Sequence, residues 1–308
     1  MNRHQRLVAT LLTIGLVAGC APTGGDLGGV ATPAVTAGAS IPAPSGEPTP
    51  DATGPEGSAP IASGSPGGSV TVRAYFFLGS FTGNSGLAPV LRDHPQTVAV
   101  GAAAMNDLLA GPQGTEIESR PAMYTDIPAG TRFLGLTISA GVATVNLSKE
   151  FEAGGDSASF RGRTAQVVYT LTQFPTIHGV QFELDGVGPK TLFIGSLGRA
   201  DYTDVLPAIF VDRPAWGGVL GNPARITGLA NVFEATFRIA IVDASGTVLV
   251  DRQAMASCGT GCWGTFDTTI PYHVAASGWG TLRVYDLSAK DGSREHLTEH
   301  PVWLTPGG

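Results

Sequence analysis

The chain has 308 residues and a formal net charge of −7 at pH 7, with 18 basic and 25 acidic residues. Only three of the basic residues are lysines, Lys149, Lys190 and Lys290, and the basic residues form no cluster. Because nucleic-acid binding requires a concentrated positive surface, the composition argues against a nucleic-acid partner.

The first twenty residues have the pattern of an export signal. A short basic start, Met1–Arg6, precedes the apolar run Leu7–Val17. The run is about half as long as the roughly 20 residues that a membrane-spanning helix needs, so we predict a secretory signal over residues 1–20. The sequence Val17-Ala18-Gly19-Cys20 resembles the bacterial lipobox, which implies lipidation of Cys20 and an extracytoplasmic protein anchored to the cell membrane by that lipid. An ordinary cleaved signal with a cysteine nearby is the alternative.

Residues 21–68 are predicted to form a disordered linker. The segment contains 9 Pro and 11 Gly, no aromatic residue and no basic residue. Such a composition cannot bury enough apolar surface to offset the entropy lost on ordering. As a coil the linker would span about 40 Å, which gives a tethered protein some reach from the membrane.

Residues 69–205 read as a mixed α and β domain. Predicted strands cover Val70–Phe77, Arg132–Ile138, Gly141–Leu147 and Val180–Leu184, which are rich in β-branched and aromatic residues or alternate in polarity. Apolar residues at helical spacing predict one helix around Val98–Leu109 and a second over Thr164–Phe174, each followed by a proline or glycine stop. We expect the two helices to pack on one face of a small sheet.

Residues 206–305 read as an all-β domain. Seven short strands separated by turns predict an immunoglobulin-like sandwich. The predicted strands are Ala208–Asp212, Ala224–Leu229, Glu234–Val242, Thr247–Arg252, Trp263–Ile270, Gly280–Leu287 and Glu299–Leu304. The complete fold class is therefore an α+β domain followed by an all-β immunoglobulin-like sandwich.

Two cysteines besides Cys20 lie four positions apart, at Cys258 and Cys262. Export favours a disulfide between them. The alternative is a pair of metal thiolates, but no second cysteine or histidine pair stands at ligand spacing. We therefore predict a disulfide and no metal site.

The segment His296-Leu-Thr-Glu-His300 matches a zinc-hydrolase pattern that requires a helix. Pro301 follows at once, so we expect an extended segment. Two histidines four residues apart on a strand are about 13 Å apart, too far to share one zinc ion. We therefore expect two exposed histidines at a strand edge, and we predict neither catalytic residues nor a cofactor.

All four tryptophans lie in the second domain. In small sandwiches such residues most often belong to the core or cap an edge. Trp216 and Trp279 stand in glycine-rich segments, so we single them out as possible ligand-contact residues that stack on sugar rings if they are exposed.

The first domain resembles the GerMN domain, a family named after a spore germination protein. The resemblance covers about residues 70–200 and rests on order and spacing. It runs through Leu108–Pro112, Ile127–Thr131, Gly141–Phe151, Gln166–Pro175, Val180, Phe182, Asp185 and Gly186. The second domain resembles the immunoglobulin-like domain of bacterial spore germination over about residues 207–304. The matching residues are Ile209–Val211, Pro214, Asn222, Pro223, Gly228–Ala235, Gly246, Asp291 and Gly292.

The resemblance implies a cell-surface lipoprotein of the germination or envelope type, with no established catalytic activity and no defined binding residues. We therefore expect a non-catalytic module that binds peptidoglycan or an envelope protein. An accessory or regulatory subunit of an envelope enzyme or sensor is the alternative, and a peptidoglycan hydrolase is the third hypothesis.

Overall fold

The structure is a computed structural model that describes residues 68–79, 86–188 and 195–307. Residues 62–308 group into one compact unit. Among the described residues, no helix combines the length and the apolar character needed to cross a membrane. The predicted export signal, Cys20 and nearly all of the predicted linker lie outside the described residues, and the predicted domain boundary near residue 206 stays a prediction.

The first part of the described chain combines three helices with six strands. The strands are β1 (Ser69–Leu78), β2 (Gly86–Pro95), β3 (Met123–Tyr124), β4 (Phe133–Ser139), β5 (Val142–Leu147) and β6 (Gly179–Leu184). The helices are α1 (Val100–Ala110), α2 (Thr115–Glu118) and α3 (Ser157–Leu171). The strands form two three-stranded sheets, in the orders β2-β1-β3 and β4-β5-β6, and not the one small sheet that we expected.

Strand β2 was missed by the sequence reading. It pairs antiparallel with β1 over its whole length, from Gly86 opposite Leu78 to Pro95 opposite Ser69. Pro89 and Pro95 argue against a central strand because proline has no N–H to donate to a neighbour. Both prolines are tolerated here because β2 lies at the edge of its sheet.

Helix α3 connects the parallel strands β5 and β6 and begins seven residues earlier than predicted. Its N-cap is Asp156, whose carboxylate accepts a hydrogen bond from the backbone N–H of Ser159 at 2.9 Å. A side chain of this kind satisfies one of the free N–H groups of the first helical turn. The first turn of α3 is polar and carries little apolar periodicity, which is why the sequence reading placed the start at Thr164.

The second part is a two-sheet sandwich, as predicted, but it has eight strands and not seven, because the two-residue strand Val219–Leu220 was not predicted. The strands are β7 (Ile209–Arg213), β8 (Val219–Leu220), β9 (Ala224–Ala230), β10 (Thr236–Asp243), β11 (Val248–Met255), β12 (Gly264–Ile270), β13 (Gly278–Leu287) and β14 (Arg294–Leu304). One sheet has the order β11-β10-β13-β14-β8 and the other the order β12-β9-β7. Alternate residues of both sheets form the apolar interior, which includes Ile226, Ile239, Leu282 and Val302.

The two parts share a packed junction. Ile209 and Val211 of β7 belong to the sandwich interior, whereas Phe210 between them belongs to the core of the first part. The ring of Phe210 contacts Tyr169 of α3 edge-on, with centroids 5.8 Å apart. The backbone of β2 at Gly86 lies so close to Leu206 and Pro207 that a Cβ atom at this position would clash with them. Strand β7 is therefore buried on both faces, which fixes the sandwich against the first part.

Candidate functional site

The described surface of the sandwich contains a cleft at one end, which we call the Trp279 cleft. Its volume is about 410 Å³. The residues that line it are Asp243, Ala244, Ser245, Leu249, His273, Val274, Ala275, Ala276, Gly278, Trp279 and Leu304. The lining combines an indole with imidazole, hydroxyl and carboxylate groups, which is the mixture of apolar surface and polar contacts typical of small-ligand sites.

The indole of Trp279 is exposed and yet held in position. Its relative exposure is 54%. Trp279 and Trp303 lie directly opposite each other on β13 and β14, and their rings meet edge to face with centroids 5.4 Å apart. An edge-to-face pair of this kind contributes about 0.5–1.5 kcal/mol beyond burial. The contact with Trp303 therefore restrains the ring of Trp279, and about half of the side chain remains exposed to solvent.

The polar edge of the cleft is ordered by Asp243. One oxygen of this carboxylate accepts hydrogen bonds from the backbone N–H groups of Ser245 and Thr247, each at 2.9 Å, and from the Ser245 hydroxyl at 2.6 Å. The Ser245 hydroxyl and these backbone donors hold the pKa of Asp243 below its usual value. The carboxylate is therefore ionised at neutral pH and keeps this turn in one conformation.

Trp216 has a different environment from Trp279. It is partly buried and packs against the core of the first part, and its backbone N–H donates to the carbonyl of Pro89 at 2.9 Å. Trp263 packs against the same core. The structure thus places Trp216 at the junction and Trp279 at an open cleft, and the ligand-contact role of each stays a prediction.

A network of polar side chains lies at the junction and consists of Arg73, Tyr75, Arg199 and Asp212. The phenol of Tyr75 donates to Asp212 at 2.6 Å and accepts a hydrogen bond from Arg199 at 2.9 Å. Arg73 and Arg199 both approach the same carboxylate, at 3.6 and 3.5 Å. The guanidinium of Arg199 also lies over the ring of Tyr169, 4.7 Å from its centroid. Burial, followed by the charge of Asp212, raises the pKa of Tyr75, so the phenol stays protonated and remains a donor.

Cys258 and Cys262 form a disulfide in the structure, with Cα atoms 5.9 Å apart. The bridged segment directly precedes Trp263, which reaches the junction. The backbone N–H of Thr260 in this segment donates to the carbonyl of Val232 at 2.9 Å. The bridge thus lies in a turn that is also held by its own hydrogen bonds.

The His296–His300 segment lies on β14 and is extended, as expected. The two histidines, however, are not both exposed. His300 is 3% exposed and lies opposite Leu282, on the inner face of the sandwich. Glu299 faces the other way and pairs with Arg283 at 2.5 Å. The expectation of two exposed histidines was therefore wrong for His300, because the alternation of the strand turns that side chain towards the interior.

His296 belongs to a different group of side chains. Its Nδ1 lies 2.8 Å from Oδ1 of Asp286, and ligand-type atoms of Asp286, Glu295 and His296 all lie within 4.8 Å of one another. His296 has a left-handed backbone conformation, with φ of 50°. This conformation interrupts the alternation of β14 and brings neighbouring side chains together. We assign no ion to this group because the hydrogen bond between Asp286 and His296 accounts for it.

The chain matches two protein families. Residues 74–188 match the family described as sporulation and spore germination. Residues 208–293 match the immunoglobulin-like domain of bacterial spore germination. Neither description names a catalytic activity. A search of curated proteins found no match.

Three solved structures are similar to parts of the chain. A candidate lipoprotein from Clostridium perfringens is 19% identical over 45% of this chain and 93% of its own, with a TM-score of 0.31. The first GerMN domain of the sporulation protein GerM from Bacillus subtilis is also 19% identical, over 45% of this chain and 97% of its own, with a TM-score of 0.32. The tandem GerMN domains of GerM are 15% identical over 66% of this chain and 62% of their own, with a TM-score of 0.33.

All three TM-scores lie below 0.5, so the family assignment rests on the two sequence matches. Those matches fall on the α+β part and on the sandwich, in the order that the resemblance predicted. The chain therefore carries a GerMN domain of the sporulation and spore germination family, followed by an immunoglobulin-like domain of bacterial spore germination.

Proposed function

We propose that this protein is a non-catalytic envelope lipoprotein that binds cell-wall polymer through the Trp279 cleft. In this proposal a lipid on Cys20 holds the chain at the outer face of the membrane. The linker over residues 21–68 gives the folded domains reach into the wall. The GerMN domain and the sandwich act as one rigid unit, because strand β7 is buried on both faces at their junction.

The observation that carries the proposal is the exposure of Trp279. A large aromatic ring that is 54% exposed gains little stability from its position. Sugar rings stack on such surfaces because an indole offers a flat apolar face beside a polar N–H group. Asp243, Ser245 and His273 line the same cleft and supply hydrogen-bonding groups for hydroxyl or amide substituents.

The second candidate function is binding of an envelope protein, as an accessory or regulatory subunit. Exposed aromatic residues also act as anchors in protein interfaces, so the Trp279 cleft fits this function too. A wall hydrolase has less support, because His296, Glu299 and His300 face three different surroundings. The three functions predict different results for the purified protein. A wall-binding module binds sacculi, an accessory subunit binds one envelope protein, and a hydrolase releases wall fragments.

The test uses the full-length chain with Cys20→Ser, which removes the predicted lipid site, and purified cell-wall sacculi. We expect the protein to sediment with sacculi and to release no soluble sugars or peptides. Trp279→Ala should weaken the binding about tenfold, because one central aromatic contact typically contributes about 1–2 kcal/mol or more.

Phe233→Ala is the matched control, because Phe233 is an aromatic residue of similar exposure, 57%, that does not line the cleft. It should leave binding unchanged. Equal binding by Trp279→Ala and the unmodified chain would exclude this cleft as the contact. Release of wall fragments would show a catalytic activity. Failure to bind sacculi, with capture of one defined envelope protein, would favour the accessory role.

The anchor needs a separate test because Cys20 lies outside the described residues. In cells, we expect the natural chain in the membrane fraction and the Cys20→Ser variant outside it. Metabolic labelling with a fatty acid should mark only the natural chain. An unlabelled natural chain in the soluble fraction would support an ordinary cleaved signal instead.

A further inference from the structure

A second cavity lies where the two domains meet, and we call it the junction pocket. Its volume is about 310 Å³. Its polar side chains are Thr71, Arg73 and Gln173 from the first part and Arg213 and Arg225 from the sandwich. Three of these five carry a guanidinium group, and no acidic residue lines the pocket. Domain interfaces are frequent places for ligand sites because both domains contribute side chains.

The wall of the pocket has more positive than negative charge. Arg73, whose side chain is only 11% exposed, shares the carboxylate of Asp212 with Arg199. Within the described residues these two guanidinium groups have no other carboxylate partner. One negative charge therefore faces two positive charges in a region where water screens them poorly.

Arg213 adds a further positive charge beside this network. It directly follows Asp212 on β7, its side chain is exposed, and the described residues offer it no ion pair and no hydrogen bond. Arg225 differs, because Asp267 accepts hydrogen bonds from it at 2.9 and 2.6 Å. Thr71 also donates its hydroxyl to Asp93. The region thus contains four guanidinium groups and, with Asp93 included, three carboxylates: Arg73, Arg199, Arg213 and Arg225 against Asp93, Asp212 and Asp267. Among the described residues, Arg213 is the arginine of this group without a carboxylate partner.

We propose that the junction pocket binds a phosphate group, with Arg213 as its principal contact and Arg73 as the buried charge behind it. A guanidinium group offers two parallel N–H donors that match two oxygens of a phosphate. The hydroxyl of Thr71 and the amide of Gln173 lie in the same lining, but they already donate to Asp93 and to the backbone carbonyls of Arg73 and Thr170, so the guanidinium groups are the donors for the ligand. The cavity has room for a phosphate and part of an attached chain. A soluble anionic polymer and a phospholipid headgroup both supply a phosphate group of this chemistry.

The site includes groups from both domains, so it exists only while the junction is intact. A bound phosphate would neutralise the excess charge of Arg73 and Arg213 at once. It would therefore stabilise the folded chain, since ligands that bind only the folded state raise its stability. This site is separate from the Trp279 cleft, since the two cavities share no lining residue.

The test measures binding of inorganic phosphate to the full-length Cys20→Ser chain by calorimetry at constant ionic strength. We expect saturable binding to one site, weakened about tenfold in Arg213→Ala. Arg213→Lys should bind with intermediate affinity, because it keeps the charge and loses the paired donors. Arg252→Ala is the control, because Arg252 is an exposed arginine outside the pocket, and it should bind as the unmodified chain does.

Two further arms identify the source of the phosphate. Binding to phosphatidylglycerol vesicles and not to phosphatidylcholine vesicles would assign the headgroup, and binding to a glycerol phosphate oligomer would assign a polymer. In either arm Arg213→Ala should lose the binding. Phosphate binding of equal strength in Arg213→Ala, or an equal signal when chloride replaces phosphate at the same ionic strength, would overturn the proposal. Unchanged thermal midpoints of the variants would show that folding is intact.

Discussion

Trp216 and Trp279 occupy similar glycine-rich stretches of sequence and very different places in the structure. Trp216 packs at the junction, where its backbone also bonds to Pro89 of the first part. Trp279 is half exposed at an open cleft, where its ring contacts Trp303. The junction thus uses its aromatic residues for stability, whereas the cleft leaves one available for contact. The difference shows that local sequence does not determine the exposure of a side chain.

The largest expected effect, and the strongest test of this difference between junction and cleft, is the removal of an aromatic ring from the junction. Phe210 is 1% exposed and lies between the two domains. We expect Phe210→Ala to lower the free energy of unfolding by about 4 kcal/mol, because it removes apolar burial and leaves a cavity. Chemical denaturation measures this loss. Phe233→Ala, an exposed change, should cost about 0.5 kcal/mol or less. A loss of similar size for both variants would contradict the burial of Phe210.

The second prediction concerns His300, which lies on the inner face of strands β13 and β14, the pair that also carries Trp279 and Trp303. Burial lowers the pKa of His300 from 6.5 to about 4, so the folded protein holds a neutral imidazole. The unfolded chain binds a proton there below pH 6.5. Stability from this group is therefore complete above pH 6.5 and falls by about 3 kcal/mol as the pH drops to about 4.

The measurement is the free energy of unfolding between pH 7 and 4 for the natural chain and for His300→Leu. Carboxylates contribute equally to both proteins, so the difference between the two curves isolates His300. We expect the variant to lose less stability across this window. Parallel curves would mean that His300 is protonated in the folded protein, and hence exposed to water.

The third prediction concerns the cysteine turn next to Trp263. A bridge that closes so short a loop should contribute about 2 kcal/mol. Cys262→Ser should therefore lower the free energy of unfolding by that amount, and reduction of the Cys20→Ser chain should cause the same loss. Alkylation followed by intact mass measurement checks the bridge itself. Addition of two alkyl groups without prior reduction would show free thiols.

Among the four predictions, the smallest change of stability is expected at the cleft. Trp279→Ala should lower the free energy of unfolding by about 1 kcal/mol or less, because the ring is half exposed and loses mainly its contact with Trp303. The same variant should lose wall binding. A loss as large as that of Phe210→Ala would show that Trp279 supports the fold, and the comparison between cleft and junction would fail.

Most of the elements could be predicted because their signals are local. Alternating polarity identified the strand around Val180–Leu184, and turn signals separated the strands of the sandwich. Helical spacing followed by a proline or glycine stop identified α1 and α3. The start of α3 and strand β2 were missed. Asp156 can be recognised as an N-cap only when the helix that follows it is known. Pro89 argues against a strand, but it lies in β2, an edge strand that pairs with β1.

The candidate site could be predicted only in part. Glycine-rich flanks drew attention to Trp216 and Trp279 without distinguishing them. No local signal marked Arg213 or Arg73, because their common pocket joins residues about 140 positions apart in the chain. Side chains that meet across a domain junction depend on contacts that no short stretch of sequence contains.

By itself the sequence determined the main elements of the two domains, because periodicity and turn residues act over a few positions. Its motifs predicted the two families and their order through their resemblance to known domains. Only the tertiary structure decided which aromatic residue faces water, that His300 lies inside the sandwich, and that Arg73, Arg199 and Asp212 meet at the junction. These properties depend on the packing of distant strands, which sets burial and charge contacts after the local elements have formed.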